Sequence, residues 1–148
     1  MIPYLLITTL LMSSLSTAPS MPGTSQRIEL HVSHIRSSKG NIRVGVFLNN
    51  ESFKQENPAQ RIEIPKTNLV NGSIHASLDL PPGVYGLSLL DDENGNGKMD
   101  FNMVGWPLEG FGFSNYYHTG FTKPNFTQFQ FKLAPDGPKQ VEVSIRYM

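Results

Sequence analysis

The sequence lacks cysteine, and it lacks an excess of either charge: 12 Lys and Arg stand against 12 Asp and Glu over 148 residues. Without cysteine there is no disulfide, thiolate metal site or cysteine nucleophile. Without a basic excess there is no electrostatic footprint for a nucleic-acid backbone, so nucleic acid is not an expected partner. Nor is the chain acidic enough to act as a solvating tail. Long apolar runs are missing too. The one apolar stretch, Ile2 to Leu15, falls short of the roughly 20 residues that cross a bilayer. What is present suffices for a core. Hydrophobic residues make up 39% and aromatics 10%, which argues against wholesale disorder. The length suits one domain.

The N-terminus reads as an address. Leu5-Leu6-Ile7 and Leu10-Leu11-Met12 form a secretory h-region, and Ala18-Pro19-Ser20 offers a small-x-small cleavage site. The n-region carries no Lys or Arg, the first basic residue being Arg27. The expectation is a signal peptide over residues 1–20, a short linker over 21–26, and one domain over 27–148 that is secreted or periplasmic. A cysteine-free exported domain must rely on its core or on a bound ion.

Beyond Arg27 the hydrophobic period is two. Ile28, Leu30 and Val32 alternate with polar residues, as do Ile42, Val44, Val46 and Leu48. Ser37 to Asn41 is a turn, so these two runs are expected to form a hairpin. A helical turn is expected around Glu51 to Gln55. Ile62 and Ile64 suggest a short strand. Further strands are expected at Ile74–Leu80, from Tyr85, at Phe129–Leu133 and at Val141–Tyr147. The architecture implied is all-β: an antiparallel β-sandwich of immunoglobulin-like or transthyretin-like type. It has about seven strands and one long Gly/Asn/aromatic-rich loop from about Asp91 to Lys123. Loops of that length are commonly functional.

The loop opens Asp92-Glu93-Asn94-Gly95-Asn96-Gly97-Lys98-Met99-Asp100. Counted from Asp92, oxygen-bearing side chains fall at positions 1, 3, 5 and 9, with glycine at 6. This is the first part of a calcium loop, in which alternate side chains of a coiling segment face a hard cation. Lys98, at position 7, would offer its backbone carbonyl. Position 12 is Met103 where an EF-hand carries a bidentate Glu, and no helices flank the loop. A further carboxylate, from Glu109 or Asp91, is therefore required. Affinity of about 10⁻⁴ to 10⁻³ M for Ca²⁺ is expected. Asp and Asn before Gly are also plain turn formers, and a hydrogen-bonded loop without metal would have a similar sequence.

Ten of the fifteen aromatics lie between Phe101 and Phe131. Phe outnumbers Trp and Tyr seven to three there, which favours packing over display, since Phe has no polar tip. A carbohydrate- or peptide-binding surface built on Trp106, Tyr116 and Tyr117 beside Glu109 is the rival reading.

The blocks Pro81-Pro82-Gly83-Val84-Tyr85, Asp92 to Asp100 and Gly105-Trp106-Pro107-Leu108-Glu109-Gly110-Phe111-Gly112-Phe113-Ser114-Asn115 closely resemble one bacterial exported family, domain of unknown function 2141. Val44-Gly45-Val46-Phe47 followed by Phe53 is similar to that family's early hairpin. The resemblance implies a small exported sandwich with no assigned activity. The Pro-Pro-Gly-x-Tyr piece is shared with other sandwiches and is a fold analogy only.

Catalytic signals are thin. His31 and His34 stand an odd number of residues apart and face opposite sides of a strand. His75 occupies an outward position. Ser114 and His118 with a loop Asp make a triad on paper, without a nucleophile elbow around them. Three Asn-x-Ser/Thr sequons, at Asn50, Asn71 and Asn125, are near chance and matter only in a eukaryotic host. The reading that results is an exported, non-catalytic binding or envelope accessory domain with a Ca-organised loop and a glycan or envelope protein as partner. A hydrolase ranks below it.

Overall fold

A computed structural model describes residues 24–137 and 139–148. The expected signal peptide lies outside the described residues. Among the described residues eight strands form two sheets. The first holds β1 (Gln26–Ser33), β4 (Ile74–Leu80) and β8 (Gln140–Ser144) in the order β4-β1-β8. The second holds β2 (Asn41–Phe47), β3 (Gln60–Pro65), β5 (Gly83–Asp92), β6 (Gly110–Phe113) and β7 (Gln130–Leu133). Its order is β3-β2-β5-β6, with β7 also on β5. Alternate residues of both sheets meet between them: Ile28, Leu30 and Val32 from β1 pack with Ile42, Val44, Leu87 and Leu89, all 0–1% exposed. The period of two has the physical cause expected of it, a half-buried face on each strand.

Two expectations about strand arrangement are corrected. The runs centred on Leu30 and Val44 do not form a hairpin: β1 pairs with β4 and β8, while β2 pairs with β3 and β5. Alternation reports which face is buried but not which strand lies alongside, and residues 34–40 carry the chain from one sheet to the other.

The second correction concerns the long loop. β5 runs on through Asp92, and β6 divides the remainder into two shorter loops over residues 93–109 and 114–125. The strand is hidden in Gly110-Phe111-Gly112-Phe113 because its inward residues are the glycines. A Cβ on Gly110 would lie 2.4 Å from the Tyr147 ring, and one on Gly112 would lie 2.6 Å from Val143. β6 can press this closely on the end of the chain only without side chains on that face.

The last strand also differs from a purely antiparallel sandwich. β8 runs parallel to β1. Beyond it, Arg146 exchanges backbone hydrogen bonds with Phe111 of β6 (3.0 and 2.8 Å), which joins the two sheets along one side.

A second, smaller core sits on the outer face of the five-stranded sheet. Phe53 of helix α1 (Asn50–Lys54) and Phe126 and Phe129 of helix α2 (Phe126–Phe129) pack there with Phe47 and Phe113. The Asn49 side chain accepts from Ser52 N at 2.8 Å and starts α1. Most of the expected aromatic packing is found here. Phe101, Trp106, Tyr117 and Phe121 are instead exposed.

Candidate functional site

Asp91 and Asp92 end β5 and point to opposite faces, as neighbours on a strand must. Both are fully buried. Asp91 faces the interior. Its Oδ2 accepts from the Tyr147 hydroxyl at 2.5 Å, and its Oδ1 lies against the Lys66 ammonium. Lys66, itself buried, also donates to the carbonyls of Ser37 (3.1 Å) and Lys39 (2.6 Å). Asp91 is therefore part of the foundation of the loop and not one of its ion-facing groups, which removes it as the extra carboxylate.

Asp92 lies under the loop itself. Oδ1 accepts from Asn96 N at 3.1 Å; Oδ2 accepts from Gly97 N at 2.9 Å and from Arg43 Nε at 2.5 Å. Burial alone would raise this carboxyl. The Arg43 guanidinium and the N–H groups of Gly97 and Gly95 outweigh burial and hold it below the usual carboxylate range. Gly97 has φ +81°, a conformation that favours glycine, so the sharp turn assigned to position 6 is where the sequence places it.

Around this root the loop coils on its own side chains. Asn94 Oδ1 accepts from Asn96 N and Asn96 Oδ1 from Lys98 N, both at 3.0 Å. The amide NH₂ groups of Asn94 and Asn96 then converge on one oxygen of Asp100, at 2.6 and 2.7 Å. Glu109 closes the far side. It is 4% exposed, and its two oxygens accept from Glu93 N (3.1 Å) and Asp100 N (3.4 Å). Burial raises its pKa, the charges of Asp92 and Asp100 add to that, and the two N–H groups oppose it. So Asp92, Asn94, Asn96, Asp100 and Glu109 are brought together. The Lys98 side chain is exposed.

Glu93 points away and forms a two-bond pair with Arg36 (3.0 and 2.6 Å), which holds its carboxyl below the usual range against burial. Arg36 also lies 4.3 Å over the Tyr147 ring. From Asp100 to Leu108 the chain forms a finger. Leu108 N donates to Asp100 O, and Asn102 Oδ1 accepts from Val104 N and Trp106 N at its turn. Trp106 is 42% exposed and meets Phe121 edge-on at 5.4 Å.

A family model described as an uncharacterised protein conserved in bacteria, domain of unknown function 2141, matches residues 30–142. The chain belongs to this family. No curated protein and no solved structure matches the chain. The match spans both sheets of the DUF2141 domain, the loop and the finger.

The remaining DUF2141 candidates separate. The Ser114 hydroxyl is fully buried, accepts from Leu87 N at 2.8 Å and donates to Phe129 O at 2.7 Å. It serves the β5 backbone at Leu87, where pairing passes from β7 to β6. His118 Nε2 sits 2.6 Å from Thr122 O. The two have separate partners. Tyr116 is half-buried and accepts from Gln128 Nε2 at 3.0 Å, while Tyr117 is exposed. Arg43 is the residue that sequence reasoning missed. An Arg between Ile42 and Val44 reads as an ordinary solvated strand position, and only the return of β5 alongside β2 places Asp92 against it.

Among the described residues no helix is long and apolar enough to cross a membrane.

Proposed function

We propose that this DUF2141 protein is a non-catalytic binding domain, exported to the periplasm or secreted, in which a Ca²⁺-type cation organises the Asp92–Asp100 loop. The observation that carries the reading is the convergence of the Asn94, Asn96 and Asp100 heads within 2.6–2.7 Å. Each amide oxygen takes one backbone N–H and keeps a second lone pair that a cation would share once the NH₂ groups turn aside from Asp100. Asp92 and the Lys98 carbonyl would supply further oxygens. Glu109 supplies a carboxylate on the far side, in the role that Met103 at position 12 cannot fill. Its burial beside two other carboxylates raises its pKa, and a divalent cation would relieve that repulsion. The N-terminal h-region and cleavage pattern support export.

The test is the melting temperature in EDTA and in millimolar Ca²⁺, for the parent and for Asp100→Asn. At 100 times the dissociation constant, a cation that binds only the folded state adds about 2.7 kcal/mol, several degrees for a domain of this size. The expected result is a rise in the parent and a much smaller one in the variant. Equal melting of the parent in both solutions would end the cation reading. A glycan- or peptide-binding role is favoured by one observation, the exposure of Trp106 on the finger. Quenching or a blue shift of its fluorescence by added glycans or peptides would support it.

A further inference from the structure

The outer face of the five-stranded sheet carries a groove of about 680 Å³ between the finger and residues 118–124. That volume is ordinary for a small-molecule site. Its floor is a row across three strands, since Gly45 of β2 pairs with Arg61 of β3 on one side and with Ser88 of β5 on the other. Gly45 lets the Phe47 ring lie against this floor: a Cβ there would be 2.9 Å from the ring. The walls are more apolar than polar and include Phe101 and Phe121, which are 58% and 77% exposed. Large exposed rings gathered on one concavity mark a binding surface.

The charge on this groove is unbalanced. Four cationic side chains line it against two carboxylates. Arg43 is held by Asp92 and Glu63, and Lys123 by Glu56. Arg61 makes one hydrogen bond, from Nη2 to Glu56 O at 3.1 Å. Lys98 makes no side-chain hydrogen bond or ion pair among the described residues. Two cationic residues that line the groove, Arg61 and Lys98, are therefore left without a carboxylate partner among the described residues.

We propose that this groove binds an amphipathic anion, a carboxylate head on an apolar acyl or aryl body. The guanidinium of Arg61 matches a carboxylate with paired N–H donors, and Lys98 adds a second charge. Phenylalanine walls suit a hydrocarbon body better than a sugar, because they offer no polar tips. The proposal deepens the binding-domain reading and rests on it, but it does not depend on the cation.

Trp106 is the one tryptophan of the chain, and its contact with Phe121 makes it a reporter of the groove. The experiment titrates the protein with decanoate, decanol and decyltrimethylammonium below their micellar concentrations, in EDTA and in Ca²⁺. Decanoate should give a saturable change in Trp106 fluorescence, at least about tenfold tighter than the other two, as loss of a charge-assisted hydrogen bond implies. Arg61→Gln/Lys98→Gln should remove that preference while far-ultraviolet circular dichroism stays unchanged. Equal binding of the three heads, no saturable binding, or an unchanged preference in the double variant would overturn the proposal. Selective binding of decanoate in both solutions supports it even if Ca²⁺ leaves the melting temperature unmoved. A Ca²⁺-dependent rise in melting with no decanoate binding overturns the groove proposal alone.

Discussion

Replacing Lys66 with methionine isolates the ion pair beneath the loop. The side chains of Lys66 and Asp91 are 1% and 0% exposed. Methionine keeps an apolar stem of similar length and removes only the ammonium. Asp91 would then keep the Tyr147 hydroxyl alone, and the carbonyls of Ser37 and Lys39 would lose a donor. Breaking a buried pair from one side costs about 3–5 kcal/mol, because the remaining charge is left without compensation. Against a total stability of about 5–15 kcal/mol, that is a large share. At about 3–5 °C per kcal/mol, the melting temperature should fall by about 9–25 °C. Urea unfolding followed by Trp106 fluorescence should show a lower midpoint with an unchanged slope. Lys66→Met/Asp91→Asn, which removes both charges, should recover a large part of the loss, giving a strong coupling energy. A cost below about 1 kcal/mol for the single variant, or additive losses in the double, would refute the account of Asp91 as a buried, paired anion.

Acid titration and one hydroxyl deletion probe the rest of the site. Asp92 and Glu93 are held below their usual pKa, so the stability they contribute is present above their unfolded values and is lost as pH falls through the folded ones. Glu109 is raised, so its cost is present at neutral pH and is relieved as it protonates. In EDTA, stability should rise on mild acidification and collapse below about pH 4, and Glu109→Gln should abolish the rise while leaving the collapse. A monotonic fall in the parent from neutral pH would contradict this. Ser114→Ala should cost about 1–3 kcal/mol in urea unfolding, because it leaves the Leu87 N–H and the Phe129 carbonyl unpaired inside the protein. A neutral effect would reopen a chemical role for that hydroxyl.

Most strand positions, and the face each strand buries, were legible in the chain alone because the period of two is local. The coil of the Asp92–Asp100 loop was legible as well, since Asx side chains and Gly97 bond to backbone only a few residues away. Strand partners were not. Nothing local distinguishes a β1–β2 hairpin from a crossing between sheets, and nothing near Val143 announces a parallel neighbour. β6 was hidden because its inward residues are glycines, whose contact is made by Val143, Ile145 and Tyr147 from the other end of the chain. The separation of Asp91 from Asp92 is also tertiary: adjacent residues meet Lys66 on one face of the sheet and Arg43 on the other. The groove exists only because β3, β2 and β5 align Arg61, Gly45 and Ser88 in one row, and long-range register of that kind is fixed by packing rather than by any short motif.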